Sequence, residues 1–289
     1  MRLERHPDAT SFLERTREFL LEREAEHNLI LGLSGRLQTD PRLYGEDPYF
    51  ASVSDGERVV GVTMRTPPHN LILSLIDDNA ALEPIAEDAQ AVFGSLPGVV
   101  GPKEPVARFA RLWEERTGAS AQVGIQQRVY RASEAVPPKG VSGSMRTYEE
   151  ADRDMVVGWM DAFIREALPQ APPEDALGWL ERNLSNPDAG IELWVDEGEP
   201  VSFAGYGGST PNGIRVGPVY TPPELRRRGY ASALTAELTR MLLAGGRTFC
   251  FLFTDLANPT SNSIYQRIGY EPVSDADQWI FGGQGSHAH

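Results

Sequence analysis

The chain has 289 residues, 40% of them hydrophobic and 24% charged, a globular mix that excludes wholesale disorder. Its 41 acidic residues outnumber 27 Lys and Arg, and the resulting charge of −14 excludes nucleic acid as an expected partner. No apolar run approaches the roughly 18 residues a membrane span needs, and the charged opening, MRLERHPDATSFLERTREFLLERE, does not read as a signal peptide. The cytoplasm is therefore the expected compartment. The single cysteine, Cys250, excludes an intrachain disulfide; within TFCFLF it is expected to be a small buried apolar side chain.

In chain order, two similar α/β halves are predicted, 1–136 and 145–289. The linker is placed at 137–144, where Pro and Gly cluster in PPKGVSG. Each half is predicted to open with amphipathic helix. Phe12, Phe19, Leu20, Leu29 and Leu33 recur at helical spacing in the first; Met155, Trp159, Phe163, Leu177, Leu180 and Leu184 do so in the second. A hairpin follows in each: YFASV and VVGVTM flank Asp55-Gly56-Glu57, and IELWV and VSFAGY flank Glu197-Gly198-Glu199. The repeated order points to a tandem duplication.

The second half continues with a strand, GIRVGPVYT, then the basic loop Arg226 to Ala231, RRRGYA. Ala231, Leu234, Leu238, Met241 and Leu242 line a helix stopped by Gly245-Gly246. TFCFLF reads as a strand buried on both faces. Asn258-Pro259 starts another helix, lined by Ile264, Tyr265 and Ile268 and closed by Gly269. DQWIF, from Asp277, reads as the last strand. The tail GGQGSHAH, with His287 and His289, is expected to be mobile. His6, His27 and His69 lack metal-ligand spacing, and no metal is expected.

A basic, glycine-containing loop running into a helix start suits a diphosphate. The first N–H groups of a helix lack internal partners and carry partial positive charge. Gly229 lets the backbone approach a ligand closely. The loop is neither a Walker A sequence nor GxGxxG.

Arg226-x-x-Gly229-x-Ala231 is similar to the (Gln/Arg)-x-x-Gly-x-(Gly/Ala) loop of the GNAT N-acetyltransferases. Together with NPTSNSIYQRIGYEPV and the element order, it makes 145–281 resemble that superfamily. The resemblance implies two GNAT-like α/β (α+β) domains, each a mixed, mostly antiparallel sheet flanked by helices. It implies acetyl-CoA as cosubstrate and direct transfer of acetyl to an amine. Val219, Tyr220 and Thr221 would offer backbone groups to the pantetheine arm. The N–H groups of Arg227, Arg228, Gly229, Tyr230, Ala231 and Ser232 would hold the diphosphate, neutralised by Arg226, Arg227 and Arg228. Asn258 and Asn262 would bond the cofactor. Tyr265 would protonate the leaving thiolate as general acid, and the Tyr220 N–H would stabilise the oxyanion.

Many relatives carry a Glu on the strand before the loop; GIRVGPVYT has none, which leaves Glu166, Glu192, Asp255 or a water chain as the base. The first half has Asp77 and Asp78 where a basic loop belongs, and Trp113-Glu114 where a tyrosine belongs, so it reads as a degenerate copy. Fourteen acids against Arg153, Arg165 and Arg182 lie between Glu149 and Glu199. They read either as a solvated face or as a border attracting a cationic acceptor. The acceptor is expected to be a small-molecule or peptide amine, and the chain a monomer or weak homodimer. A non-catalytic acyl-CoA-binding or sensor protein remains an alternative, as does a module binding another diphosphate.

Overall fold

The computed structural model describes residues 1–167 and 175–282; the tail with His287 and His289 lies outside them. The chain forms two compact units, Met1–Gln127 with Ser274–His289, and Arg128–Val273.

The first unit starts with strand β1 (Arg2–His6), then helices α1 (Ala9–Glu22) and α2 (Asn28–Thr39). The Asp8 carboxylate caps α1 by accepting from the Ser11 N–H at 2.8 Å. Strands β2 (Tyr49–Asp55) and β3 (Arg58–Arg65) form the predicted hairpin. There follow β4 (Leu71–Leu73), α3 (Leu82–Phe93), β5 (Gly98–Pro102) and α4 (Lys103–Thr117), which ends on the left-handed Gly118 (φ 72°). The neighbour order is β1-β2-β3-β4-β5-β12, where β12 (Glu271–Phe281) is the chain's final strand. All pairs are antiparallel except β4 with β5. One sheet face packs on α1 and α2 through Phe12, Leu20 and Phe50, and the other on α3 and α4 through Ile85, Phe109 and Trp113.

Strand β6 (Ala121–Ala132) leads onward. The second unit then runs β7 (Ser144–Thr147), α5 (Arg153–Ala167), α6 (Ala176–Leu184), β8 (Gly190–Asp196), β9 (Glu199–Gly207), β10 (Gly213–Tyr220), α7 (Tyr230–Ala244), β11 (Phe249–Asp255) and α8 (Pro259–Arg267). Its neighbour order is β6-β11-β10-β9-β8-β7. The β7–β8, β8–β9 and β9–β10 pairs are antiparallel, and β10–β11 is parallel. The α5 and α6 face buries Met160, Leu180, Leu193 and Phe203; the α7 face buries Ala204, Leu234, Leu238 and Cys250. Both units therefore have the mixed, mostly antiparallel sheet expected of them.

Three expectations differ. Each half opens with a strand, not a helix: β1 and β7 are short, polar edge strands whose alternation is too weak to register as β. The last strand begins at Glu271 rather than Asp277, and its residues from Ser274 onward belong to the first unit. The physical reason is pairing: Ala276 to Ile280 align antiparallel with Pro102 to Gly98. Phe281 joins the core around Trp113. The boundary likewise falls at Arg128, before 137–144. The PPKGVSG segment is irregular as predicted but held within the second unit, where Trp194 Nε1–H donates to the Ser142 carbonyl (2.8 Å) and the Ser142 hydroxyl to Asp196 (2.9 Å).

Candidate active site

In the second unit, β10 aligns with β11 only at Gly213, Ile214 and Arg215. Beyond Arg215 the two strands run on to Tyr220 and Asp255 without pairing to each other. On its other side β10 stays with β9, with a register shift between Val216 and Val219. The parting leaves one edge of β10 open toward β11. Val219 is half-buried there.

The residues offering their backbone to that edge follow from alternation. Tyr220 lies opposite Phe203, and its carbonyl accepts from the Ser202 hydroxyl of β9 at 2.8 Å. A residue's N–H and C=O face the same side of a strand, so both backbone groups of Tyr220 face β9. Those of Val219 face the opening. The Tyr220 N–H, expected to face an oxyanion, therefore lies on the β9 side of the strand. The sequence places both residues at the strand end; only the bulge at Gly217-Pro218 fixes which one turns outward.

The Thr221–Gly229 loop then delivers α7. Arg227 and Gly229 adopt left-handed backbone (φ 66° and 89°). Gly229 is the N-cap, and a Cβ there would lie 2.8 Å from Val141 Cγ2. The first helical bond runs from the Ala233 N–H to the Gly229 carbonyl, 2.9 Å. Helix geometry therefore leaves the N–H groups of Tyr230, Ala231 and Ser232 without helical acceptors. Tyr230 is buried and donates its hydroxyl to Asp196 Oδ2 at 2.5 Å; the same oxygen accepts from Ser142. Those two bonds, the Tyr230 one foremost, hold the Asp196 carboxyl below the usual carboxylate range. Asp196 thus ties the β8–β9 turn, the PPKGVSG segment and the start of α7 together. In the sequence it is one of the fourteen acids between Glu149 and Glu199, with nothing local to single it out.

The three arginines differ in role. Arg227 and Arg228 are exposed. Arg226 is turned back: its Nε–H donates to the Thr221 carbonyl (2.8 Å) and its Nη2 to Glu166 Oε2 (2.6 Å). The Tyr220 hydroxyl donates to the other Glu166 oxygen at 3.1 Å.

In α8, Asn258 caps its own helix, its side-chain oxygen accepting from the Ser261 N–H at 3.0 Å. The Asn262 amide donates to the carbonyls of Asp255 (3.0 Å) and Asn258 (2.8 Å), and its oxygen accepts from the Tyr130 hydroxyl (3.1 Å). Both asparagines thus have partners within the chain, and Asn262 ties the end of β11 to α8. Tyr265 packs between Tyr130 and Tyr270, ring centroids 6.4 and 6.0 Å away. Its hydroxyl has no hydrogen-bond partner among the described residues, and burial pushes its pKa up to about 12. The phenol therefore stays protonated at neutral pH.

The three carboxylates considered as base sit apart. Glu166 is paired with Arg226. Asp255 accepts from the Ala257 N–H at 2.7 Å. Glu192 is 3% exposed, its carboxylate accepting from the Thr147 hydroxyl (3.2 Å), and burial raises its pKa. It shares the cross-strand row Glu192, Ala204, Val219, whereas Tyr220 follows Leu193 and Phe203. Adjacent rows face opposite sides of a sheet, so Glu192 faces α7 and Tyr220 faces α5. Cys250 is fully buried, which pushes its thiol up to about 12 and leaves it inert as a nucleophile at neutral pH.

The first unit has the same strand–helix–strand arrangement in β4, α3 and β5, but its loop carries Asp78, whose carboxylate accepts from the Ala80 N–H (2.9 Å). Trp113 is buried in the core. Among the described residues, no group of three or more His, Cys, Asp or Glu is placed to hold a metal ion, and no helix is long and apolar enough to cross a membrane.

Comparison with known proteins agrees with this geometry. The family model described as FR47-like protein matches residues 208–280, the stretch holding the parted strand, the loop and α8. A Drosophila protein structure is similar over 98% of this chain and 99% of its own, with 15% identity and a TM-score of 0.68. A GNAT-family acetyltransferase from Colwellia psychrerythraea is similar over 97% of this chain and 100% of its own, at 12% identity and TM-score 0.56. A tandem GNAT protein from the clavulanic acid biosynthesis pathway is similar over 99% and 100%, at 13% identity and TM-score 0.57. Among curated proteins there is no significant match. The chain is a tandem GNAT-fold protein.

Proposed function

We propose that the protein is an acetyl-CoA-dependent N-acetyltransferase acting on the amine of a small molecule or peptide, with the second unit as the working copy. The observation that carries this reading is the parting of β10 from β11 just ahead of a helix N-terminus capped by a left-handed glycine. A Cβ at Gly229 would meet Val141 Cγ2 at 2.8 Å, so this cap takes glycine. The residues present fit coenzyme A: Val219 offers strand-edge groups to the amide-rich arm, and the N–H groups of Tyr230, Ala231 and Ser232, with Arg227 and Arg228, suit the diphosphate. When bound, acetyl-CoA supplies an activated acyl group as a thioester.

The chain's own contributions are these. The Val219 N–H, on the open edge of β10, would donate to the carbonyl oxygen of a thioester bound along that edge. Tyr265, protonated at neutral pH and without a hydrogen-bond partner among the described residues, would hold the proton for a departing thiolate. Asp196 and Ser142 keep the start of α7 in place, so the cradle costs little reorganisation on binding.

The test is calorimetry with acetyl-CoA followed by thiol release over a panel of amines. Saturable binding and thiol release that depends on an amine are the expected results. Binding without turnover on any acceptor would favour a sensor of the same fold. Absence of binding would remove the reading altogether.

A further inference from the structure

We propose that Glu166, the Tyr220 ring and the Thr221 carbonyl form a cation subsite, which Arg226 fills in the free protein and leaves when the diphosphate of coenzyme A draws it away. The vacated subsite then receives a positive group of the acceptor. This deepens, and rests on, the coenzyme A reading above.

The Arg226 guanidinium is held by one carboxylate oxygen at 2.6 Å and one backbone carbonyl at 2.8 Å, and its Cζ lies 5.5 Å from the centroid of the Tyr220 ring. A carboxylate, a carbonyl and an aromatic face are the groups that recognise an ammonium or guanidinium ion. The site is built: Tyr220 is 7% exposed, and its hydroxyl fixes the second Glu166 oxygen at 3.1 Å. It stands at the end of β10, beside Val219, where the acyl group is to be transferred.

The ion that fills it is loosely held. The side chains of Arg226 and Glu166 are 41% and 45% exposed, which makes their pair weak and displaceable. Arg226 is also the first residue of the diphosphate loop. The same side chain cannot neutralise Glu166 fully and serve the diphosphate fully, so cofactor and carboxylate compete for it. Cofactor binding frees Glu166 at the place where a cationic acceptor is wanted. By linkage, coenzyme A and a cationic acceptor each favour binding of the other.

Two measurements on the full-length protein test the idea. The first is calorimetric affinity for coenzyme A in wild type, Glu166→Gln, Arg226→Gln and the double variant. Glu166→Gln is expected to bind about fivefold more tightly, because breaking a half-exposed pair frees the arginine. Arg226→Gln is expected to bind more weakly, and the Glu166→Gln gain is expected to vanish in the double variant. The second uses methylguanidinium, a copy of the ion now in the subsite. Arg226→Ala is expected to bind it at millimolar concentration, and wild type and Arg226→Ala/Glu166→Gln are not. Unchanged coenzyme A affinity in Glu166→Gln, or no methylguanidinium binding by Arg226→Ala, overturns the proposal. A wild-type protein that ignores coenzyme A defeats the functional reading instead, while the methylguanidinium result still reports on the subsite by itself.

Discussion

Trp113 of α4 stacks on Phe281 of β12 with ring centroids 5.9 Å apart, so the last strand of the chain completes the core of the first unit. Each fully buried large apolar side chain contributes roughly 1.5–3 kcal/mol, and β12 adds a five-residue register with β5. A chain ending at Val273 is therefore expected to lose the first unit's cooperative unfolding transition, read as tryptophan fluorescence against urea. A fragment of residues 1–136 should fail to fold for the same reason. A sharp, wild-type-like transition in either would contradict the assignment of β12.

Gly229→Ala meets two obstacles. The left-handed backbone at φ 89° strains any residue with a side chain, by about 1–3 kcal/mol, and the new methyl lies 2.8 Å from Val141 Cγ2. Coenzyme A affinity should fall about tenfold or more. Adding Val141→Ala relieves the contact but not the backbone strain, so partial recovery is the expected outcome. Calorimetry on both variants separates the two causes.

Tyr265→Phe removes one hydroxyl that has no other partner among the described residues, so the fold should be untouched. Loss of a general acid lowers turnover about 10²-fold or more, with coenzyme A affinity nearly unchanged. With its pKa near 12, wild-type Tyr265 should impose no loss of kcat between pH 7 and pH 9. Turnover of the variant equal to wild type would take Tyr265 out of the mechanism.

His27 in the first unit is a structural staple. Its Nδ1–H donates to the Leu20 carbonyl at 3.0 Å, and its Nε2 accepts from the Leu75 N–H at 3.0 Å, which the neutral ring satisfies. Burial lowers its pKa. In the unfolded chain the ring takes up its proton near pH 6.5, so on acidification the unfolded state binds the proton first. Stability is then present above about pH 6.5 and is lost as pH falls through the folded value. The urea midpoint should be level near pH 7 and decline toward pH 5. His27→Gln should flatten part of that slope, and His6, whose pKa burial also lowers, contributes to what is left.

Much of the fold was legible because its signals are local. Asp55-Gly56 and Glu197-Gly198 mark hairpins by turn chemistry, Asn258-Pro259 marks the start of α8, and RRRGYA marks the loop before α7. What escaped depends on contacts distant in sequence. Nothing local in DQWIF tells it to pair with β5. Whether Val219 or Tyr220 turns outward depends on a one-residue bulge. Asn262 is polar and well placed for a ligand in sequence, but Tyr130 and Asp255 already use its amide. Arg226 belongs to a phosphate-binding pattern, yet the nearest anion in space is Glu166, sixty positions earlier in the chain.

The crossed allotment of strands also bears on how such a chain can change over generations. Ser274 to Phe281 serve the first unit, although they follow the second unit's chemistry in the sequence, and Arg128 to Ala132 serve the second, although they trail the first. A gene cut at its midpoint would give two products that are each short of a strand. A change that removes Ser274 to Phe281 therefore costs the first unit its pairing with β5, and one that removes Arg128 to Ala132 takes residues from the second, so neither unit can be trimmed at its own end of the sequence without loss to the other's fold.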